Sequence, residues 1–325
     1  MTVKSDSSSG VISLGDLLKI NPSPPPCLIE PGLLPEQGIL FVGGEPKVGK
    51  SLLVANLALA LAAGSSRAGF HVPAPRNVLI CQFELPTEQF AARLWLMRQA
   101  LGPGADDKLF VDTRSAGHLL SSTSGLNHFL AAARAAAAEA IVLDPLYSTH
   151  DQDENDTRAM AALCHTLLRL RDASRAALIV VHHVRKSISR NEIGSAFRGS
   201  SALHAVGDSY MLLTRPSPQL NSIELRFQFR YAACQQPRLL CLDSRTLWFT
   251  SSDQRPDSCA SRKKVDTSDV EEALAAIGEQ AGYCDLRHKI MTLTTCSKRT
   301  AQLAISQACE QGLIVRDNGS YRLSF

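Results

Sequence analysis

The sequence has no long apolar run, no marked excess of one charge and no cysteine pair at metal-binding spacing. Each absence removes a class of function. The longest apolar stretch, Leu52 to Ala63, has Asn56 inside it and falls short of the roughly 20 residues that a bilayer-spanning helix needs. No membrane partner is expected. Lys and Arg number 34 against 31 Asp and Glu, a net charge of +3, so any surface for nucleic acid must be local. The nine cysteines (27, 81, 164, 234, 241, 259, 284, 296 and 309) include no CxxC pair, which argues against a zinc site or a disulfide framework. Most lie in apolar runs, where a free thiol is expected to act as a small buried hydrophobe. The Ser-rich start carries no basic-then-apolar leader, so the expected compartment is the reduced cytoplasm. No repeat of solenoid period is present.

What remains is a globular composition, 45% hydrophobic and 20% charged over 325 residues, long enough for one large domain and a smaller one. Residues 1–27 read as a flexible leader ending in Pro22, Pro24, Pro25 and Pro26. Residues 28–250 alternate short apolar runs with longer helical stretches. The expected strands are 39–42, 78–83, 141–144, 178–182, 209–213, 222–229 and 239–242. The expected helices are 51–63, 87–100, 124–139, 157–173 and 200–205. That alternation predicts an α/β fold with a mainly parallel sheet, the last three strands being antiparallel additions at one edge. Residues 251–267 carry no apolar period and read as a linker. In 268–325, helices over 269–280, 285–293 and 297–311 precede two strands that flank Asp317-Asn318-Gly319, a hairpin signal. Ser268 is the expected cap of the first helix. Helices followed by a β-wing describe a winged helix-turn-helix.

The sharpest motif is Gly44-Glu45-Pro46-Lys47-Val48-Gly49-Lys50-Ser51, followed by Leu52. It has the P-loop form, placed between an apolar strand and a helix. Its glycines let successive backbone N–H groups face phosphate oxygens at a helix N-terminus. Lys50 brings charge to the β- and γ-phosphates, and the Ser51 hydroxyl suits Mg²⁺. ATP and Mg²⁺ are therefore the expected ligands. Asp144 ends the apolar strand Ile141-Val142-Leu143, where a carboxylate orders the magnesium shell or simply caps the strand end. Glu84 ends another strand, expected beside the P-loop strand, and either polarises the attacking water or opens the helix after Pro86. His182 and His183 end a further strand. Alternation turns His183 toward the γ-phosphate position and His182 to the opposite side, which makes His183 a candidate sensor.

Between 185 and 230 seven Lys/Arg face three acids, with Arg185, Lys186, Arg190 and Arg198 in a polar loop. Such a loop suits a phosphate backbone, an ordinary solvated surface or a subunit contact. Arg230, at a strand tip, can reach a neighbour's nucleotide or remain a surface residue. The acidic run Asp151 to Asp156 lacks the Gly and the Glu of a calcium loop and is expected to cap the next helix. In the tail, Ser297-Lys298-Arg299-Thr300 opens the candidate recognition helix, for DNA or for a protein partner.

Taken together, GGEPKVGKS, QFEL, AIVLDPL, DENDTRAM, VVHHVRK, FRGSSAL and SIELRFQFR resemble the RecA-like ATPases, in particular the plasmid RepA hexameric helicases and related mobile-element ATPases. The resemblance implies a ring, usually a hexamer, with ATP between subunits and single-stranded DNA as the partner of the core. It implies Lys50 and Ser51 as phosphate and magnesium ligands, Glu84 as catalytic base, Asp144 as metal-site carboxylate, His183 as sensor and Arg230 as a finger acting in trans. Two departures stand out. DnaB-type helicases carry a lysine two residues before the finger, where this chain has Gln228, and the plasmid helicases lack a winged-helix tail, which here suits duplex DNA or a protein. Three functions follow: a DNA helicase or remodeller, an ATP-gated regulatory DNA-binding protein that does not unwind, and a filament-forming recombination mediator.

Overall fold

The computed structural model describes residues 11–19, 26–184, 193, 197, 200–216, 222–233, 235–251, 265–278, 280–294, 296–317 and 319–324. The chain divides into two compact units, Met1–Pro256 and Asp257–Phe325.

In the larger unit a one-turn helix, α1 (Leu14–Leu17), capped by the Ser13 side chain, lies in the segment expected to be a loose leader. A short antiparallel pair follows, β1 (Cys27–Ile29) and β2 (Leu34–Pro35). The main chain path is then β3 (Ile39–Gly44), α2 (Lys50–Ala63), β4 (Val78–Gln82), α3 (Thr87–Leu101), β5 (Leu109–Asp112), α4 (Thr123–Ala135), β6 (Ala140–Asp144), α5 (Thr157–Ser174), β7 (Ala177–His183), α6 (Ser200–Val206), β8 (Ser209–Thr214), β9 (Ser222–Phe229), β10 (Arg238–Leu242) and β11 (Phe249–Ser251). The nine strands β3 to β11 form one sheet in the order β11-β10-β9-β8-β3-β7-β6-β4-β5.

From β8 to β5 every pairing is parallel. Antiparallel pairing begins only between β8 and β9. This corrects the expectation for the last three strands: β8 enters through helix α6 and joins β3 in parallel, as a crossover connection allows. Within this nine-stranded sheet, β5 and β11 have no counterpart among the expected elements. Another correction concerns β4, which is expected beside the P-loop strand and lies beyond β7 and β6.

The sheet is covered on both faces, which is why its central strands read as continuous apolar runs. Alternate residues of β3 go to opposite layers. Leu40 and Val42 pack with α2, Phe90, Trp248 and Phe249, while Ile39 and Phe41 pack with Phe129, Leu167, Phe197 and Tyr210. Helix α2 is apolar around most of its circumference and buried along it. Asn56 in that helix is buried too, and it bridges to the far sheet edge: Nδ2 donates to Leu247 O at 3.0 Å, and Oδ1 accepts from Phe249 N at 2.8 Å. The acidic run caps α5 as expected, with the Asp156 carboxylate accepting from the amides of Arg158 and Ala159.

Cysteine burial departs from expectation. Of the described cysteines only Cys81 and Cys164 are buried, while Cys241 and Cys284 are exposed, because the runs around the latter two present alternate or helical-face positions to solvent.

The smaller unit contains α7 (Thr267–Ile277), β12 (Gln280–Gly282), α8 (Tyr283–Thr294), α9 (Lys298–Glu310), β13 (Ile314–Asp317) and β14 (Ser320–Leu323). Its three strands form an antiparallel sheet, order β12-β14-β13, over a core that includes Val270, Leu274, Leu286, Ile290, Ile305 and Ile314. The cap of α7 is Asp266, not Ser268. Its carboxylate accepts from the Ser268 and Asp269 amides, and Asp269 returns a side-chain bond to the Asp266 amide, a reciprocal capping box.

Candidate active site

The loop after β3 turns sharply because two positions permit it: Gly49 has φ 110° and Lys47 φ 62°, in the region L-residues avoid. Gly44 is required for a different reason. A Cβ there would lie 2.7 Å from the Leu213 carbonyl oxygen and 2.9 Å from Val48 Cγ1. The loop delivers the chain to the N-terminus of α2, where no side chain caps the first-turn amides. Orphan amides and the helix dipole together make an anion site.

Lys50 Nζ donates to the carbonyls of Gly44 (2.9 Å) and Glu45 (3.0 Å). Burial pushes its ammonium below the ordinary lysine range, against the attraction of Asp144 and Glu84. Ser51 Oγ donates to Asp144 Oδ1 at 3.1 Å. Asp144 is buried, and that burial pushes its carboxyl up to about 6. A buried lysine and a buried carboxylate, each shifted toward neutrality, are groups that a phosphate and a divalent cation would return to full charge. The residues therefore fit a Mg²⁺–nucleotide.

Glu84 reaches this cleft through strand register. Gln82 pairs with Asp144 across β4 and β6, the Phe83 amide donates to the Asp144 carbonyl, and Gln82 Oε1 accepts from Leu85 N at 3.0 Å. The resulting turn sets the exposed Glu84 opposite Lys50. His183 arrives on β7, in register with Gly44. A cleft of about 480 Å³ is lined by Pro46, Lys47, Gly49, Lys50, Ser51, Leu52, Glu84, Asp144 and His183, and also by Gln82 and Arg93. His182 faces the other layer, fully buried, with its ring stacked against Phe197 and Nδ1 at 3.9 Å from Glu154.

Four contributors are not singled out by the sequence. Arg93, on α3, lines the cleft and opposes the upward shift of Asp144. Tyr147, in a short turn after β6, donates its phenol to Glu84 Oε1 at 2.6 Å. Arg215 Nη2 donates to the Lys47 carbonyl at 2.9 Å, and Phe249 packs where a Gly49 Cβ would come within 3.2 Å. Nothing local in sequence marks Arg93, inside α3, or Phe249, in β11; Tyr147 and Arg215 at least follow a strand end within three residues.

Arg230 stands apart from its own cleft. Phe229 pairs with Ser209, and Ser209 pairs with Leu40 near the start of β3, so Arg230 lies at the sheet edge opposite Gly44. In the second unit Lys298 and Arg299 are exposed in the first turn of α9, capped by Ser297 Oγ accepting from Thr300 N. Arg185, Lys186, Arg190 and Arg198 lie outside the described residues. Among the described residues, no helix is long and apolar enough to cross a membrane.

The AAA domain family matches residues 9–188, just over half of the chain. Among solved structures, an isolated ATPase domain is similar with a TM-score of 0.51 and 13% identity, over 67% of this chain and 86% of that one. A DnaB-like replicative helicase, solved for its interactions with primase, gives 0.53 and 12%, over 66% of this chain and 57% of its own length. At these identities the likeness is one of fold. No curated protein matches in sequence. The likeness covers the α/β unit with its large, mostly parallel sheet, and the chain belongs to the AAA domain family, built on the RecA-like fold of helicase ATPase domains.

Proposed function

We propose that this chain is a Mg²⁺-dependent ATP hydrolase that assembles as a ring, a hexamer of the plasmid RepA type, and uses hydrolysis to move along or remodel single-stranded DNA. The observation that carries the reading is the convergence of Lys50, Ser51, Glu84, Asp144 and His183 on one cleft from four strand ends.

ATP bound with Mg²⁺ supplies the γ-phosphoryl group that is transferred to water. The first-turn amides of α2 and Lys50 hold the phosphates, exchanging the lysine's bonds to the Gly44 and Glu45 carbonyls for phosphate oxygens. Ser51 and Asp144 hold the cation, and their mutual hydrogen bond already sets their spacing. Glu84 orients a water and accepts its proton. His183, in register with the loop, senses the γ-phosphate. Arg230, at the opposite edge, acts on a neighbour's nucleotide in a ring.

The C-terminal unit supports a winged-helix reading: three helices, a terminal β-hairpin, and Lys298 and Arg299 exposed at the start of the last helix. That surface suits duplex DNA, and it favours a second reading in which ATP state gates assembly of a regulatory DNA-binding protein.

The test is steady-state ATP hydrolysis with and without saturating single-stranded DNA, with Lys50→Ala as the blank. Stimulation of tenfold or more, about 1.4 kcal/mol of barrier, supports a DNA-driven motor. A slow rate that ignores single strands sinks the motor and leaves the gated regulator.

A further inference from the structure

Tyr147 stands on a bonded turn and its phenol reaches Glu84. It sits in a single turn, Leu146–Thr149, three residues after Asp144, with Leu146 and Thr149 buried beneath it. The turn is anchored twice: Thr149 Oγ1 donates to the Leu146 carbonyl at 2.7 Å, and the Thr149 carbonyl accepts from Leu120 N at 2.6 Å. From this mount the phenol donates to Glu84 Oε1 at 2.6 Å, within the range of a charge-assisted O–H···O⁻ bond. The bond to Glu84 holds the phenol above the ordinary tyrosine range, so it stays protonated and remains a donor. The other face of the ring meets His183, centroids 5.3 Å apart at 34°.

Three strand ends are thus joined in series: β7 through His183, β6 through Tyr147 and β4 through Glu84. A carboxylate bound to a phenol has one oxygen committed, and that oxygen is turned to the turn after β6 rather than to a water. The bond lies at the solvent-exposed mouth of the cleft, so a small displacement of the ring can break it.

We propose that Tyr147 is a positioning residue that holds Glu84 back in the resting subunit and releases it when His183 shifts. Hydrolysis is then gated by the state of the cleft. This inference rests on Glu84 being the proton acceptor.

Wild type, Tyr147→Phe, Tyr147→Ala and Glu84→Gln are compared in steady-state ATP hydrolysis, with kcat and KM for ATP read separately, and by thermal melting. Tyr147→Phe keeps the ring against His183 and removes only the hydroxyl. The expected result is a basal kcat raised threefold or more, with KM within twofold and an unchanged melting temperature; Tyr147→Ala also exceeds wild type. A merely structural tyrosine would lower the melting temperature and move kcat and KM together. A Tyr147→Phe rate at or below wild type, with Glu84→Gln inactive, overturns the restraint alone. Hydrolysis at the wild-type rate in Glu84→Gln overturns the proton-acceptor reading, and the restraint falls with it.

Discussion

Arg230 is tied to Asp208 within its own subunit: Nη1 donates to Asp208 Oδ1 at 3.1 Å, while Asp208 Oδ2 accepts from the Ile39 amide at 2.9 Å. Asp208 also exchanges backbone bonds with Ile39 and Arg230, so one buried residue joins the start of β3, the entry to β8 and the end of β9. Removing its carboxylate leaves a buried amide without its acceptor. Asp208→Ala is expected to lower stability by about 2–4 kcal/mol, read from denaturant unfolding. Arg230→Ala is expected to cost about 1 kcal/mol or less, because the guanidinium is half exposed and screened by water.

If Arg230 serves a neighbour while Lys50 serves its own subunit, the two defects complement. Arg230→Ala and Lys50→Ala proteins should each be inactive alone. Mixed at equal concentration, they should regain a measurable share of the wild-type rate, because some interfaces then carry both intact residues. Mixtures that stay inactive while forming mixed oligomers would remove Arg230 from the trans role.

The Asp144 carboxyl titrates near 6 against an unperturbed value near 3.8. The sign follows directly. Between these values the folded protein holds a proton that the unfolded chain has released, so this group's contribution to stability falls as pH rises through about 4 to 6. Above 6 the ionised carboxylate is a cost, with a ceiling of roughly 3 kcal/mol. Asp144→Asn should therefore stabilise the nucleotide-free protein at pH 7.5 and give no advantage below pH 4. The same variant should lose hydrolysis and lose any rise in melting temperature on adding Mg²⁺–ATP.

Asn56 is legible in the sequence only as an interruption in an apolar run. Its role requires the position of β11, a three-residue strand whose sequence carries no distinctive period. Asn56→Leu strands the Leu247 carbonyl and the Phe249 amide in an apolar layer. The expected loss is about 2–4 kcal/mol, measured by thermal or denaturant unfolding, and hydrolysis should fall with it.

Lys298→Ala with Arg299→Ala tests the smaller unit. If these side chains meet phosphates, duplex affinity should fall and the slope of log affinity against log salt should flatten by about 2. An unchanged slope would move the unit toward a protein partner.

The phosphate loop can be read from sequence because its chemistry is contiguous: eight successive residues between a strand and a helix. The central strands can be read because burial on both faces makes them apolar throughout. What escapes depends on order across the sheet. Glu84 is expected on a strand beside β3, yet β7 and β6 intervene; crossover order is set by packing of the covering helices, which no local pattern encodes. β5 is missed because its apolar run, Leu109-Phe110-Val111, is shorter than those of its neighbours, and the strand is partly exposed throughout. Arg93 lines the cleft and Tyr147 meets Glu84 through the pairing of β4 with β6 in one particular register.

The loop before α2 is held by residues from far along the chain, with Arg215, just after β8, on the Lys47 carbonyl and the Phe249 ring of β11 close to Gly49. The shape of the Gly44–Ser51 motif is therefore not written in its eight residues alone. A substitution at Arg215 or Phe249 reaches the motif's backbone without altering the motif itself.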